Sequence, residues 1–171
     1  MRHTGRKKTV VLGVGNPLMG DDGIGSHVAR ELNRRTGAMP DIDVFEAVTS
    51  PMSVVHIIAN YERVIIIDSA RMGRNPADMC RFSPEEVFSL KSLPGISLHE
   101  GDLLRSLEIS RMLGECPEDV VILGIEPGGI SFGEHISSPL ENRIGEYVEA
   151  VLAEIGGELG SIDGQQVQNQ A

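Results

Sequence analysis

Apolar positions along the chain switch between two periods, and the switching lays out the elements. Residues 8–14 have the β-branched apolar character of a buried strand, and residues 23–34 carry Ile24, Val28 and Leu32 at helical spacing. Residues 42–48 read as a second strand. Ser50-Pro51 then opens a short helix, with Ser at the cap, Pro at the first helical position, and Met52, Val55 and Ile58 facing inward. Residues 63–69 contain Val64-Ile-Ile-Ile67, too apolar to alternate, as a central strand covered on both faces requires. Residues 75–83 predict a further strand, Pro84-Glu-Glu a helical turn, and residues 91–97 a Pro/Gly loop. Residues 99–113 predict a helix with Leu103, Leu104 and Leu107 inward, and residues 119–125 an apolar strand. Residues 138–155 predict one long helix with Leu140, Ile144, Val148 and Val151 along one side.

Strands alternating with helices imply right-handed crossovers and a mostly parallel sheet between helical layers. Such a sheet sends every loop that leaves a strand's carboxyl end to one edge, where these folds bind ligands. Asp22 follows the first strand, Thr49 the second, Asp68 the third, and Glu126 the strand ending Leu123-Gly-Ile-Glu-Pro127. All four are expected at one cleft. The length of 171 residues and 40% hydrophobic content fit a single domain over residues 1–156, and the polar, Gly-rich stretch 157–171 is expected to be a disordered tail.

Charge and cysteine usage narrow the chemistry. A formal charge of −10 with a pI near 4.9 argues against nucleic acid, whose partners supply a cationic face. The basic start lacks the apolar stretch of a secretory signal and no apolar run reaches the ~20 residues of a membrane span, so a cytoplasmic protein without a membrane partner is expected. Cys80 and Cys116 are isolated and read as reduced, structural thiols. Gly13, Gly15 and Gly20 have neither phosphate-loop spacing, and the loop ends in Asp21-Asp22, which would repel pyrophosphate. No GxSxG elbow occurs.

The candidate constellation is Asp22, Asp68 and His99. Asp68 emerges from the apolar run Ile65-Ile-Ile-Asp68, where burial without a partner is costly, and His99 opens a helix that must pack on the same sheet. Two carboxylates and an imidazole at one edge make an open site of mixed oxygen and nitrogen donors, suited to a borderline divalent metal. Local sequence equally allows Asp68 to bond neighbouring backbone and His99 to be a capping or surface imidazole. Asp21, Glu100 and Asp102 are read as outer acceptors or helix-start charges favoured by the dipole, and Glu126 as either a cleft hydrogen bonder or a water-facing strand end. His3, His27, His56 and His135 read as solvated or packed imidazoles.

Across residues 9–154 the chain resembles the endopeptidases that mature the large subunit of nickel-iron hydrogenases. The resemblance rests on Gly13-Val-Gly-Asn16, the following Leu-Met-Gly-Asp-Asp-Gly-Ile-Gly25, Ile65-Ile-Ile-Asp68, Ser97-Leu-His99 and Val121-Ile-Leu-Gly-Ile-Glu-Pro127. It implies a three-layer α/β fold of the phosphorylase/hydrolase-like kind and an aspartic-type, metal-dependent endopeptidase acting in the cytoplasm. The substrate implied is a large-subunit precursor already loaded with nickel, from which a C-terminal extension is cut. Asp22, Asp68 and His99 match the family's metal-binding positions, with Asp22 and Asp68 the catalytic carboxylates. Nickel would arrive with the substrate, other divalent metals substituting for it in a crystal, and the enzyme is expected to be a monomer. Two departures stand out. The position of Asp22 is often Glu in relatives, and Glu46-Ala-Val-Thr49 replaces a Gly-Gly-Thr-like turn whose φ > 0 conformations Ala and Val are not expected to take. The alternatives are a non-catalytic metal-sensing chaperone on this scaffold and, remotely, a peptidyl-tRNA hydrolase, whose first strand also leads into a Gly-Asn-Pro turn.

Overall fold

The computed structural model describes residues 7–90, 97–98 and 102–157. Its sheet is built from β1 (Lys7–Val14), β2 (Ile42–Val48), β3 (Tyr61–Arg71), β4 (Met79–Phe82) and β6 (Asp119–Ile125), in the order β2-β1-β3-β6-β4. The pairs β1/β2, β1/β3 and β3/β6 are parallel, and β4 closes one edge antiparallel to β6. A two-residue strand β5 (Ser97–Leu98) pairs antiparallel with the far end of β3, Leu98 against Ala70. The Val64-Ile-Ile-Ile67 run therefore sits in the middle strand of five, as its unbroken apolarity requires.

Alternation along the strands divides the interior into two cores. Val10, Leu12, Val64 and Ile66 point to one face, packed by Val54 and Ile58 of α2 (Pro51–Ile58) and by Leu103, Leu104 and Leu107 of α4 (Asp102–Met112). Val11, Ile65, Ile67 and Val121 point to the other, against Ile24, Val28 and Leu32 of α1 (Ile24–Thr36) and Tyr147, Val148 and Val151 of α6 (Ile144–Gly156). The result is three layers, helices on both faces of a mostly parallel sheet. A short helix α3 (Pro84–Leu90) follows β4.

Several expectations are corrected. Met52 does not face inward: it is 49% exposed, and Val54 takes the buried position with Val55 and Ile58. The helix predicted over 138–155 is two, α5 (Ser138–Glu141) and α6, broken at Arg143. The break has a tertiary cause, because the Arg143 guanidinium and the Tyr147 hydroxyl both donate to the Ala77 carbonyl. Ser97 belongs to a strand rather than to the predicted loop; the helix predicted over residues 99–113 is seen as Asp102–Met112, residues 99–101 lying outside those described. The residues of the predicted tail from 158 onward lie outside those described.

Strand order decides where a site forms. From β1 the chain moves to β2 on one side, then returns to β3 on the other, so the loops after β1 and β3 diverge and leave a crevice at their carboxyl ends.

Candidate functional site

β1 delivers the chain into the turn that carries the paired carboxylates, and two glycines set how closely that turn meets the sheet. A Cβ on Gly25 would stand 2.3 Å from the Ile67 carbonyl oxygen and 2.5 Å from that of Val14, and one on Gly13 would stand 2.4 Å from the Gly25 carbonyl oxygen. Only hydrogen fits at these crossings. The start of α1 therefore rests on the carboxyl ends of β1 and β3, and the preceding 3-10 turn, Gly20–Gly23, brings Asp22 to the crevice edge.

Asp22 is 7% exposed and accepts the Asn16 backbone N–H at 2.9 Å. Asp68 is fully buried within β3, in register with Gly124 of β6. Strand alternation puts its side chain on the face of Ile66 and Ala70, the face that α4 covers. Asp22 and Asp68 thus come to the same sheet edge from segments 46 positions apart. The third candidate, His99, lies outside the described residues, as do Glu100 and His3. The residue before His99, Leu98, is paired to Ala70, two positions beyond Asp68. Among the described residues no group of three or more His, Cys, Asp or Glu side chains is gathered closely enough to hold a metal ion.

Neither aspartate of the turn caps the first helix. The N-cap is Gly23, with no side-chain cap hydrogen bond. Asp21 instead binds a loop more than a hundred residues away. Its Oδ2 accepts the N–H groups of Gly128 at 2.7 Å and Gly129 at 3.0 Å and the Ser137 hydroxyl at 2.7 Å, while Oδ1 accepts the Ser137 N–H at 2.6 Å. Burial works to raise its pKa, but the bonds from Ser137, Gly129 and Gly128 outweigh it and hold the carboxyl below its ordinary value.

Glu126 does not face water. It is 7% exposed, and its Oε2 accepts the backbone N–H groups of Met72 at 2.6 Å and Arg74 at 3.2 Å, anchoring the loop after β3 to the end of β6. Thr49 is exposed and, with Val14, Asn16, Val48, Val54 and Leu103, lines a cavity of about 180 Å³ beside the Asp22 turn. The turn leading to Thr49 corrects an expectation, for Ala47 does adopt a left-handed backbone, with φ at 52°. The β1/β2 register shifts there, from Leu12 opposite Phe45 to Val14 opposite Val48, so a bulge at 46–47 turns Val48 inward.

The remaining titratable side chains fit structural roles. His27 is half-buried, and burial together with the Arg30 charge lowers its pKa. His56 and His135 are exposed. Cys80 is half-buried in β4, where burial pushes its thiol pKa up, away from a nucleophilic thiolate. Reasoning from sequence missed Asp21 as a loop anchor. The only signal available was the Gly128-Gly129 pair, which offers two unobstructed N–H groups to a carboxylate.

Comparisons with known proteins point to one family and fold. A family model described as hydrogenase maturation protease matches residues 26–154. The hydrogenase 2 maturation protease of Escherichia coli is 30% identical over 148 residues, spanning 85% of this chain and 89% of that protein. A hydrogenase expression/formation protein HupD of Bradyrhizobium diazoefficiens is 26% identical over 153 residues, covering 87% of this chain and 80% of that one. Among solved structures, the hydrogenase maturating endopeptidase HybD from E. coli is similar with a TM-score of 0.78 at 27% identity, over 88% of this chain and 93% of that chain. The NiFe hydrogenase maturation protease HycI from Thermococcus kodakarensis is also similar, with a TM-score of 0.67 at 26% identity, over 89% of this chain and 94% of that chain.

Proposed function

The chain belongs to the hydrogenase maturation protease family, and from that premise we propose that it removes the C-terminal extension from a nickel-loaded hydrogenase large-subunit precursor. The observation that carries this reading is the placement of two buried carboxylates, Asp22 in the turn that follows β1 and Asp68 near the carboxyl end of the adjacent β3, with the residue before His99 paired two positions beyond Asp68. Carboxylate and imidazole donors suit a borderline divalent ion such as nickel.

In this reading nickel is part of the substrate, held by the precursor and presented to the cleft. Asp22, Asp68 and His99 complete its coordination, which fixes the scissile bond against the enzyme and replaces a costly orientation step by binding. Cleavage then requires an activated water. A metal lowers the pKa of bound water from about 15.7 to about 7, and Asp22 or Asp68 offers a carboxylate base for the same proton. Absence of nickel leaves the tail unoriented and uncut, so the reaction proofreads metal insertion. The protein works as a cytoplasmic monomer that docks on its larger substrate; no helix among the described residues is long and apolar enough to cross a membrane.

The test is incubation of nickel-loaded precursor with the wild type, Asp68→Asn and His99→Ala, followed by gel shift and mass spectrometry. The wild type should release the C-terminal peptide, and both variants should lose processing while keeping a wild-type circular dichroism spectrum. Normal processing by both variants removes the proposed site. Binding of precursor without peptide release would make the protein a metal-sensing chaperone instead.

A further inference from the structure

Adjacent carboxylates in one turn have been given opposite tasks. A carboxylate has about four lone-pair sites, and the four hydrogen bonds to Asp21 come entirely from the loop 126–137. Asp21 is 1% exposed, and both of its carboxylate oxygens are engaged by this loop. The same loop is stitched to the turn by backbone bonds on either side: Gly20 N–H to the Gly133 carbonyl at 2.9 Å, Gly133 N–H to the Leu18 carbonyl at 2.8 Å, and Asp21 N–H to the Gly129 carbonyl at 3.3 Å. In a 3-10 turn successive residues are about 120° apart around the axis. Holding Asp21 against the loop therefore sets the direction in which Asp22 leaves the turn.

We propose that Asp21 is a positioning residue for the cleavage, locking the loop 126–137 to the Gly20–Gly23 turn so that Asp22 stands at a fixed place opposite Asp68. The proposal rests on the reading of Asp22 and Asp68 as the substrate-metal ligands. It assigns the loop 126–137 a part in the site through its bonds to Asp21. Asn in place of Asp21 keeps the shape but brings an NH2 group against N–H donors on one side of the carboxyl. The turn must then rotate, and displacement of about 1 Å at a reacting group costs on the order of a hundredfold in rate.

The experiment compares kcat and KM on nickel-loaded precursor for the wild type, Asp22→Ala, Asp21→Asn, Ser137→Ala, Ser137→Thr and Glu154→Gln. Glu154 is the stability control. It is buried in a cluster with Arg63 and Arg81 at the amino end of β3, about 16 Å of strand away from Asp68. Asp21→Asn should lower kcat at least about tenfold while KM changes far less. Ser137→Ala should fall between it and the wild type, and Ser137→Thr, which keeps the hydroxyl, should restore the rate. Glu154→Gln should lower Tm as much or more with kcat unchanged well below Tm. Wild-type kcat in Asp21→Asn alongside an inactive Asp22→Ala overturns the positioning role and leaves the metal site standing, as does a kcat loss in Glu154→Gln matching that of Asp21→Asn. A wild-type protein inert on the precursor overturns both readings.

Discussion

Gly25→Ala separates two effects that usually travel together. On helix propensity alone the change is favourable, because Ala is about 1 kcal/mol better than Gly in a helix interior. The structure opposes it. The new methyl would lie 2.3 Å from the Ile67 carbonyl oxygen and 2.5 Å from that of Val14, where ordinary contact begins at 3.4 Å, so α1 must retreat by about 1 Å from the ends of β1 and β3. Both opposing atoms are backbone in the central strands and have nowhere to go. Overpacking of this kind costs about 1–3 kcal/mol, which against the propensity gain leaves a net loss of up to about 2 kcal/mol. For a chain of this length that is a Tm drop of up to about 8 °C. The larger effect is on the reaction, because the retreat carries Asp22 with it, and about 1 Å of misplacement costs on the order of a hundredfold. Initial rates of precursor processing, measured well below Tm, are the assay. Gly145→Ala is the matched control: its methyl meets only the end of the flexible Arg35 side chain at 3.3 Å, so it should leave the rate unchanged and Tm equal or higher. A Gly25→Ala variant with wild-type Tm and wild-type rate refutes the claim that close backbone approach places the Asp22 turn.

Ala47→Gly should raise stability, since a left-handed alanine costs about 1–2 kcal/mol that glycine avoids; chemical denaturation checks it, and an unchanged or lower midpoint would mean the bulge carries no strain. His27 predicts a pH effect of definite sign. Its folded pKa lies below the ordinary value of 6.5 because burial and then the Arg30 charge disfavour the imidazolium. The unfolded chain therefore takes up the proton first, and stability present above pH 6.5 is lost as pH falls toward the folded pKa. His27→Gln should lose less stability than the wild type between pH 7 and 5 in urea titrations, and identical slopes would rule the mechanism out.

Local pattern carried most of the architecture. The bounds of β2 and β6 follow directly from their apolar runs, and the unbroken Val64-Ile-Ile-Ile67 stretch marks the strand that ends up central. Elements whose limits depend on distant contacts were not legible in the same way: the break between α5 and α6 is set by Arg143 and Tyr147 reaching Ala77, and β5 exists only because β3 offers it an edge. The site divides along the same line. Residue types and strand ends nominate Asp22 and Asp68, because a charge at the end of a buried strand must be met by something. Sequence reads Asp21 as an outer acceptor or a helix-start charge, but which groups it accepts from was beyond reach, since nothing in its chain neighbours names them. Only the folded molecule brings Gly128, Gly129 and Ser137 to it. The period of hydrophobic residues is a short-range property that the sequence alone determines, whereas the partners of the buried Asp21 come from a segment more than a hundred residues away, and only tertiary structure brings those together.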